Sequence, residues 1–450
     1  MKTSKTILKL DAVRERFFKG GNIAETIDSE ISKFFFFFFP KKLPKVAMIS
    51  FYYPDSEGKT RSGVAIYTNF ISRELASLGC EVHVFTSTEK KSKTNTEKIG
   101  KGKLVVHRIS VFSKTREKDP IVNSRMKYLN FDNKIPKELS KENKRGQFNL
   151  VNTNGWLTGG TFVAKQFFGV KWIHTFHAVE ISRENMMSEE EKKYLPVYEW
   201  IERTIKHADM FIAVSEYVKD EIRRLYKIPA KKIFVIPNGI NPKLFRVRKQ
   251  VSLRKKYGFT NDHQIIMFVG RFSKEKGIST LINAIPKVMK EIKNSAFLIV
   301  SPMIKDFEKL DTFRELNDKL NKLIKKYGKR IKVFSEKLPQ NTLSNLYNMA
   351  DLYVQPSLYE AFGITVLEAM ACGKSIIASD CGGLSEIVFN GYNGLLCTPG
   401  DHQKLANDII KLLNSPELKR KMEKNALQFS KKYHWNDIGK RTLDLYMKFY

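Results

Sequence analysis

From Lys45 onward, short β-runs alternate with amphipathic helical runs, and this alternation starts afresh once. Parallel strands need long crossovers, and helices supply them, so the pattern predicts an α/β fold of helix-covered parallel sheets. In the first array, strands are expected at 45–51, 81–86, 104–109, 148–153, 171–175, 210–214 and 233–237. A helix is expected over 64–78, with Phe70, Ile71, Leu75 and Leu78 on its apolar side and Gly79 stopping it. Residues 111–147 are polar and basic without a clear period, which predicts a long loop plus a helix. A second array has strands at 264–270, 296–301, 330–334, 352–355, 375–378 and 394–397. The break near 240–262 divides the chain into two Rossmann-like, doubly wound domains, 45–245 and 262–435. With 450 residues, each half is long enough to bury its own core. Ligands of open α/β sheets sit beyond the carboxyl ends of the strands, so the expected site is a cleft between the two domains.

Residues 1–44 differ from the rest and form a basic, Phe-rich N-terminal extension. Ile7, Leu10, Val13 and Phe17 recur at helical spacing, followed by six consecutive phenylalanines, Phe34 to Phe39, stopped by Pro40 and flanked by lysines. Burying one Phe is worth about 1.5–3 kcal/mol, so such a run must be hidden. Two readings stand at this point: an anchor at a lipid interface, and a low-complexity extension packed on the first domain.

The formal net charge of +32 is spread along the chain and would attract polyanions, phosphorylated substrates or an anionic membrane surface. Nucleic acid is disfavoured as a partner, because no basic motif interleaved with aromatics occurs. Cys80, Cys372, Cys381 and Cys397 show no Cys-x-x-Cys spacing, so neither a zinc site nor a disulfide framework is indicated from them. No run of eighteen apolar residues occurs, and acidic residues precede any apolar run at the N-terminus. The expected location is cytoplasmic, with peripheral attachment to the inner face of the cell membrane as the alternative that the Phe run raises.

Chemistry concentrates in three segments. In Ser357-Leu-Tyr-Glu-Ala-Phe-Gly-Ile-Thr-Val-Leu-Glu368, seven residues separate Glu360 from Glu368, and an apolar strand feeds a loop and then a helix N-terminus. Such a terminus offers unpaired N–H groups and partial positive charge to a phosphate, and Gly363 allows close backbone approach. Gly270-Arg271-Phe-Ser-Lys-Glu-Lys276-Gly277 follows the first strand of the second array, where Arg271 and Lys276 can reach one diphosphate. In Trp172-Ile-His-Thr-Phe-His177, His174 falls within a strand and reads as a packed core residue, whereas His177 lies at the strand's carboxyl end, in the cleft.

The first of these segments resembles the E-x7-E signature of retaining, nucleotide-sugar-dependent glycosyltransferases of family 4 (glycosyl transferases group 1), which have the GT-B fold. The second resembles that family's GR-x5-G segment. The resemblance runs from about Val46 to the C-terminus. It implies that Glu368 accepts hydrogen bonds from ribose hydroxyls and that Glu360 lies near the sugar's 3-OH. The backbone of Phe362, Gly363, Ile364 and Thr365 would contact sugar and diphosphate, and Arg271 and Lys276 would neutralise the leaving group. His177 matches a Thr-x-His position near the sugar's 6-OH. Gly63, preceded by Ser62 where many relatives have Gly-Gly, matches an acceptor or phosphate loop. Pro237-Asn-Gly-Ile-Asn241 is similar to a PNGID hinge, with Asn241 in place of Asp, and the helix 436–450 would cross back onto the first domain.

The implied activity is transfer of a hexose from a nucleotide diphosphate sugar to a hydroxyl of a glycan or lipid-linked acceptor, with retention at the anomeric carbon. The implied catalytic group is Glu360, His177, Arg271 and Lys276. No cofactor beyond the donor substrate and no metal are expected, since no Asp-x-Asp occurs. The alternative is a catalytically inactive protein of the same fold that binds membranes or polyanions through its basic surface.

Overall fold

The computed structural model describes residues 43–449, apart from 55–61, 112–119, 156–164, 166–168, 188–191, 194, 197–198, 200–203, 249–250 and 303–310. The Phe34–Phe39 run and the helical spacing before it lie outside the described residues. Residues 44–450 form one compact unit.

That unit contains two sheets. In chain order the strands of the first are β1 (Lys45–Ser50), β2 (Glu81–Thr88), β3 (Lys93–Ile99), β4 (Gly102–Ser110), β5 (Leu150–Asn154), β6 (Lys171–Phe176), β7 (Met210–Ala213) and β8 (Ile233–Val235). The second holds β9 (Gln264–Val269), β10 (Ser295–Val300), β11 (Ile331–Phe334), β12 (Leu352–Gln355), β13 (Ser375–Ser379) and β14 (Leu395–Cys397). Spatial orders are 3-4-2-1-5-6-7-8 and 11-10-9-12-13-14. Apart from the antiparallel β3–β4 edge, each order reverses direction once, between β1 and β5 and between β9 and β12, and the pairs meeting there are parallel. Central strands such as β1 and β10 are buried on both faces, which explains their unbroken apolar runs.

One strand was not expected. β3 pairs antiparallel with β4 at the sheet edge and is exposed almost throughout. Its sequence, Lys-Thr-Asn-Thr-Glu-Lys-Ile, carries no apolar alternation because it buries no face. The 111–147 region resolves into a helix over Pro120–Asn143 after a segment outside the described residues.

The Gly63–Ser77 helix is capped by Ser62, whose hydroxyl accepts from the Ala65 N–H at 3.2 Å, and it buries Tyr67, Ile71 and Leu75. The final helix, Trp435–Phe449, seats on it: Trp435 stacks on Phe70 with centroids 5.4 Å apart, and a Cβ at Gly439 would stand 2.7 Å from that of Glu74. The chain thus crosses twice between the sheets, at Ile240 and at 433–435. The Ile240 N–H donates to the Tyr433 carbonyl at 2.6 Å and the Trp435 N–H to the Ile240 carbonyl at 3.2 Å. Gly239 makes this close passage possible, since a Cβ there would lie 2.5 Å from the Trp435 ring. Asn241 serves the adjoining turn by accepting from the Lys243 N–H at 3.0 Å, a task that needs only a side-chain oxygen. One apolar cluster, including Trp172 and Phe176 on one side and Tyr359, Phe362 and Val366 on the other, runs through both halves.

Candidate active site

The loops leaving β9 and β12 begin at the reversal point of the second sheet, the position favoured for ligands in open α/β folds. They are joined through backbone. Gly277 has φ +66, and a Cβ there would lie 1.6 Å from the Pro356 carbonyl oxygen, so only glycine fits. The Leu358 N–H donates to the Glu275 carbonyl at 2.7 Å. With the loops so fixed, Lys276 Nζ donates to Glu360 Oε2 at 2.9 Å, and the Ser357 hydroxyl points at the same oxygen from 3.4 Å. Gly382 and Gly383 back the loop from below, and the Gly383 N–H donates to the Glu360 carbonyl at 2.8 Å.

The Ile364–Ala371 helix starts at Gly363, whose φ of +100 suits glycine and whose missing Cβ leaves room for Leu384. The Val366 N–H already donates to the Gly363 carbonyl at 3.0 Å, which leaves the N–H groups of Ile364 and Thr365 without a carbonyl partner in the helix, and no acidic side chain occupies that turn. The Thr365 hydroxyl donates to Gln355 at 3.0 Å, while Phe362 is buried and Ile364 half-buried beside it. One turn on, Glu368 is buried and accepts from the Tyr347 hydroxyl at 3.0 Å. Burial pushes its carboxyl up to about 8, against the stabilising Tyr347 hydrogen bond. A ligand bringing hydroxyl donors would favour the carboxylate.

Arg271 is nearly half exposed and pairs with Glu275, four residues on. Glu275 also meets Arg183 of the first half at 2.5 Å, and Arg183 donates to Glu180 at 2.6 Å. Burial opposes ionisation of Glu275, yet Arg271, Arg183 and Lys276 together hold its carboxyl down to about 2. Further bonds close the halves on each other. Tyr359 donates to Glu221 at 2.9 Å, and the Ser215 hydroxyl donates to the Ala361 carbonyl at 2.6 Å. Glu386 accepts from the N–H groups of Glu216 and Tyr217, at the start of the Glu216–Tyr226 helix.

On the opposite wall, His177 follows β6 directly. Its Nε2 lies 3.1 Å from Asn154 Oδ1 at the end of β5, and its ring meets the edge of Tyr67 with centroids 4.7 Å apart. Burial brings its pKa down to about 3, so the imidazole is neutral at physiological pH. Two residues later, the Val179 N–H donates to the Tyr359 hydroxyl at 3.4 Å, which brings this strand end up to the Glu360 loop. His174 is a core residue bonded to Thr153 at 2.7 Å. Gly63 opens the first helix, with no described atom within 4 Å of its Cβ position.

The structure therefore brings Arg271, Lys276, Glu360 and the Phe362–Thr365 backbone together, sets Glu368 behind them, and faces them with His177. Sequence reasoning missed the Glu275–Arg183 pair, although Glu275 stands between Arg271 and Lys276. Ser215 caps its helix, accepting from the Val218 N–H at 3.1 Å, and it holds the Glu360 loop as well.

Comparisons with known proteins agree with this architecture. Residues 250–429 match the family described as Glycosyl transferases group 1, and residues 61–244 match Glycosyltransferase Family 4. An uncharacterized glycosyltransferase of Methanocaldococcus jannaschii is 30% identical over 309 residues, spanning 67% of this chain and 75% of that protein. A D-inositol 3-phosphate glycosyltransferase of Thermobispora bispora is 25% identical over 392 residues, 85% of this chain and 89% of that one. Among solved structures, sucrose-phosphate synthase from Thermosynechococcus elongatus superposes with a TM-score of 0.75 at 26% identity, covering 90% of this chain and 98% of its own. Anabaena HepE in complex with UDP-glucose superposes with a TM-score of 0.69 at 18% identity, covering 90% and 100%. The chain belongs to the group 1, family 4 glycosyltransferases and has their GT-B fold.

Proposed function

We propose that the protein is a metal-independent, retaining hexosyltransferase that moves a hexose from a nucleotide diphosphate sugar to a hydroxyl acceptor. The observation that carries this reading is the junction of the two loops, where Lys276 lies 2.9 Å from Glu360 and Arg271 stands half exposed beside them. Two cations and the N–H groups opening the Ile364–Ala371 helix supply the charge neutralisation that a departing diphosphate needs. This set does the work a metal does elsewhere, which supports metal independence. Glu368 would take the ribose hydroxyls, and Glu360 the sugar. His177, kept neutral, suits a hydroxyl of the sugar and would not act as a charged acid.

In the proposed step the bond from the anomeric carbon to the diphosphate oxygen breaks while the acceptor oxygen bonds to the same face. The acceptor proton passes to the departing diphosphate. The complex of HepE with UDP-glucose supports a UDP-sugar as first probe, and the sucrose-phosphate and inositol-phosphate enzymes support a soluble phosphorylated acceptor beside glycan and lipid-linked ones. Peripheral attachment to an anionic membrane is part of the proposal only through residues 1–44; no described helix is long and apolar enough to cross a membrane. A thermal-shift screen against UDP-, GDP- and ADP-sugars tests the donor reading, because a ligand of the native state raises the midpoint. Transfer should persist in EDTA and yield the donor's anomeric configuration. An inverted product, or undiminished turnover in Arg271→Ala, overturns it.

A further inference from the structure

We propose that His83, His107 and Glu142 form a divalent-cation site of the zinc class, distant in the fold from the cleft. His83 on β2 and His107 on β4 project from the same face of the first sheet, two register positions apart, against the last turn of the Pro120–Asn143 helix, where Glu142 sits. Their inner nitrogens, His83 Nδ1 and His107 Nε2, are 2.9 Å apart, and Glu142 Oε2 is 3.9 Å from His83 Nδ1. All three ligand atoms lie within 4.8 Å of one another.

Three features distinguish this group from a chance meeting of polar side chains. First, both outer nitrogens are already held. His83 Nε2 is 2.8 Å from Glu81 Oε1, and His107 Nδ1 is 3.3 Å from the Thr94 hydroxyl on β3. A ligating histidine characteristically has its second nitrogen fixed by an oxygen, often a carboxylate, which sets the tautomer and the ring direction. Second, the rings are immobilised: His107 stacks on Phe85 with centroids 4.5 Å apart, and Phe148 meets His83 edge-on at 5.2 Å. Third, both imidazoles are buried, so their inner nitrogens face Glu142 and each other rather than bulk water.

In the ion-free arrangement, His83 donates from Nε2 to Glu81 and accepts at Nδ1 from His107. Binding a cation asks only that His107 shift its proton to Nδ1, where the Thr94 oxygen accepts it. Two nitrogens at zinc distances of about 2.0–2.1 Å in a tetrahedron lie about 3.3 Å apart, so the rings must part by a few tenths of an ångström. Arg145, which now pairs with Glu142 at 2.8 Å, is mostly exposed and can leave for water. Lys45 and Lys103, 3.5 and 3.7 Å from Glu81, are further charged groups nearby. The ion would tie β2 and β4 to the helix, with water completing the shell. Two imidazoles and one carboxylate suit zinc and exclude magnesium and calcium, which prefer all-oxygen sites.

The test uses the full chain, stripped with EDTA and titrated with ZnCl2 against a chromophoric chelator while thermal unfolding is followed. One equivalent should bind and the midpoint should rise with free zinc, and MgCl2 should do neither. The double variant His83→Asn/His107→Asn should lose both responses. Should it fail to fold, Glu81→Gln on the surface carries the test, with zinc affinity about 10–100-fold weaker. No binding by the stripped wild type, equal binding by either variant, or an equal response to magnesium overturns the site and leaves a hydrogen-bonded histidine pair.

Discussion

The two reversal points of the sheets are built from opposite materials. At β9/β12 the strand ends lead into ion pairs: Arg271, Lys276, Glu275 and Glu360, with buried Glu368 behind. Among the described residues around β1/β5, the hydrogen-bonding groups are neutral: Asn154 at the end of β5, His177 just after the neighbouring β6, and Tyr67 on the Gly63–Ser77 helix. On the proposed reading, the same topology serves two chemistries. Fixed charge suits a group that gains charge as it leaves, and neutral donors and acceptors suit hydroxyls. The glycines differ as well. Gly277 is walled in by the Pro356 carbonyl, whereas no described atom comes within 4 Å of a Cβ at Gly63.

The sharpest way to break this contrast is to remove one side chain from each wall. Arg271→Ala should lower kcat/KM for a UDP-sugar by about 10²–10³-fold, the worth of a preorganised electrostatic contact. His177→Ala should cost about tenfold or less, the worth of one neutral hydrogen bond. Equal losses in steady-state assays would show that the walls are not chemically distinct.

The glycines offer the next largest difference. Gly277→Ala forces a residue with a side chain into a left-handed, obstructed position and should destabilise by about 1–3 kcal/mol or more in urea unfolding. Gly63→Ala, in an unobstructed first turn, should stabilise by about 0.4–1 kcal/mol.

A pH series separates the two walls again. Below about 8 the ligand-free Glu368 holds its proton, and donor hydroxyls favour the carboxylate. UDP-glucose affinity should therefore improve by up to about tenfold per unit as pH rises toward 8, and level off above it. Glu368→Gln should give a flat profile, and His177, already neutral, should contribute no inflection between pH 5 and 8. The same raised carboxyl means the native state binds the extra proton, so its contribution to stability falls as pH rises from the ordinary 4.5 through 8. The smallest expected effect is at the crossing: Asn241→Asp should change stability by less than about 0.5 kcal/mol, because either side chain offers the oxygen that Lys243 needs.

Most of the charged wall was legible because its residues are neighbours in sequence. Arg271 and Lys276 lie on one loop, Glu360 lies on another that runs straight into the helix carrying Glu368, and a strand before each loop announces where it emerges. Glu275 was read past, since its partner Arg183 is ninety-two positions away and no local pattern relates them. The Ser215 bond to the Glu360 loop spans 146 positions and was invisible for the same reason. β3 escaped because edge strands that bury nothing carry no hydrophobic period. Tyr347, which meets Glu368 from a different helix, shows the same limit in a buried pair.

The paired crossings at Ile240 and Tyr433–Trp435 have a mechanical consequence. Two covalent links at separate points would lock the halves, and one alone would leave them free to swivel in every direction. Here the links run side by side and are fastened to each other by two backbone hydrogen bonds. The halves are thus held together along one line by the paired crossings, and away from it by Arg183–Glu275 and Ser215–Ala361, so separating them there would break long-range bonds while leaving the crossings in place.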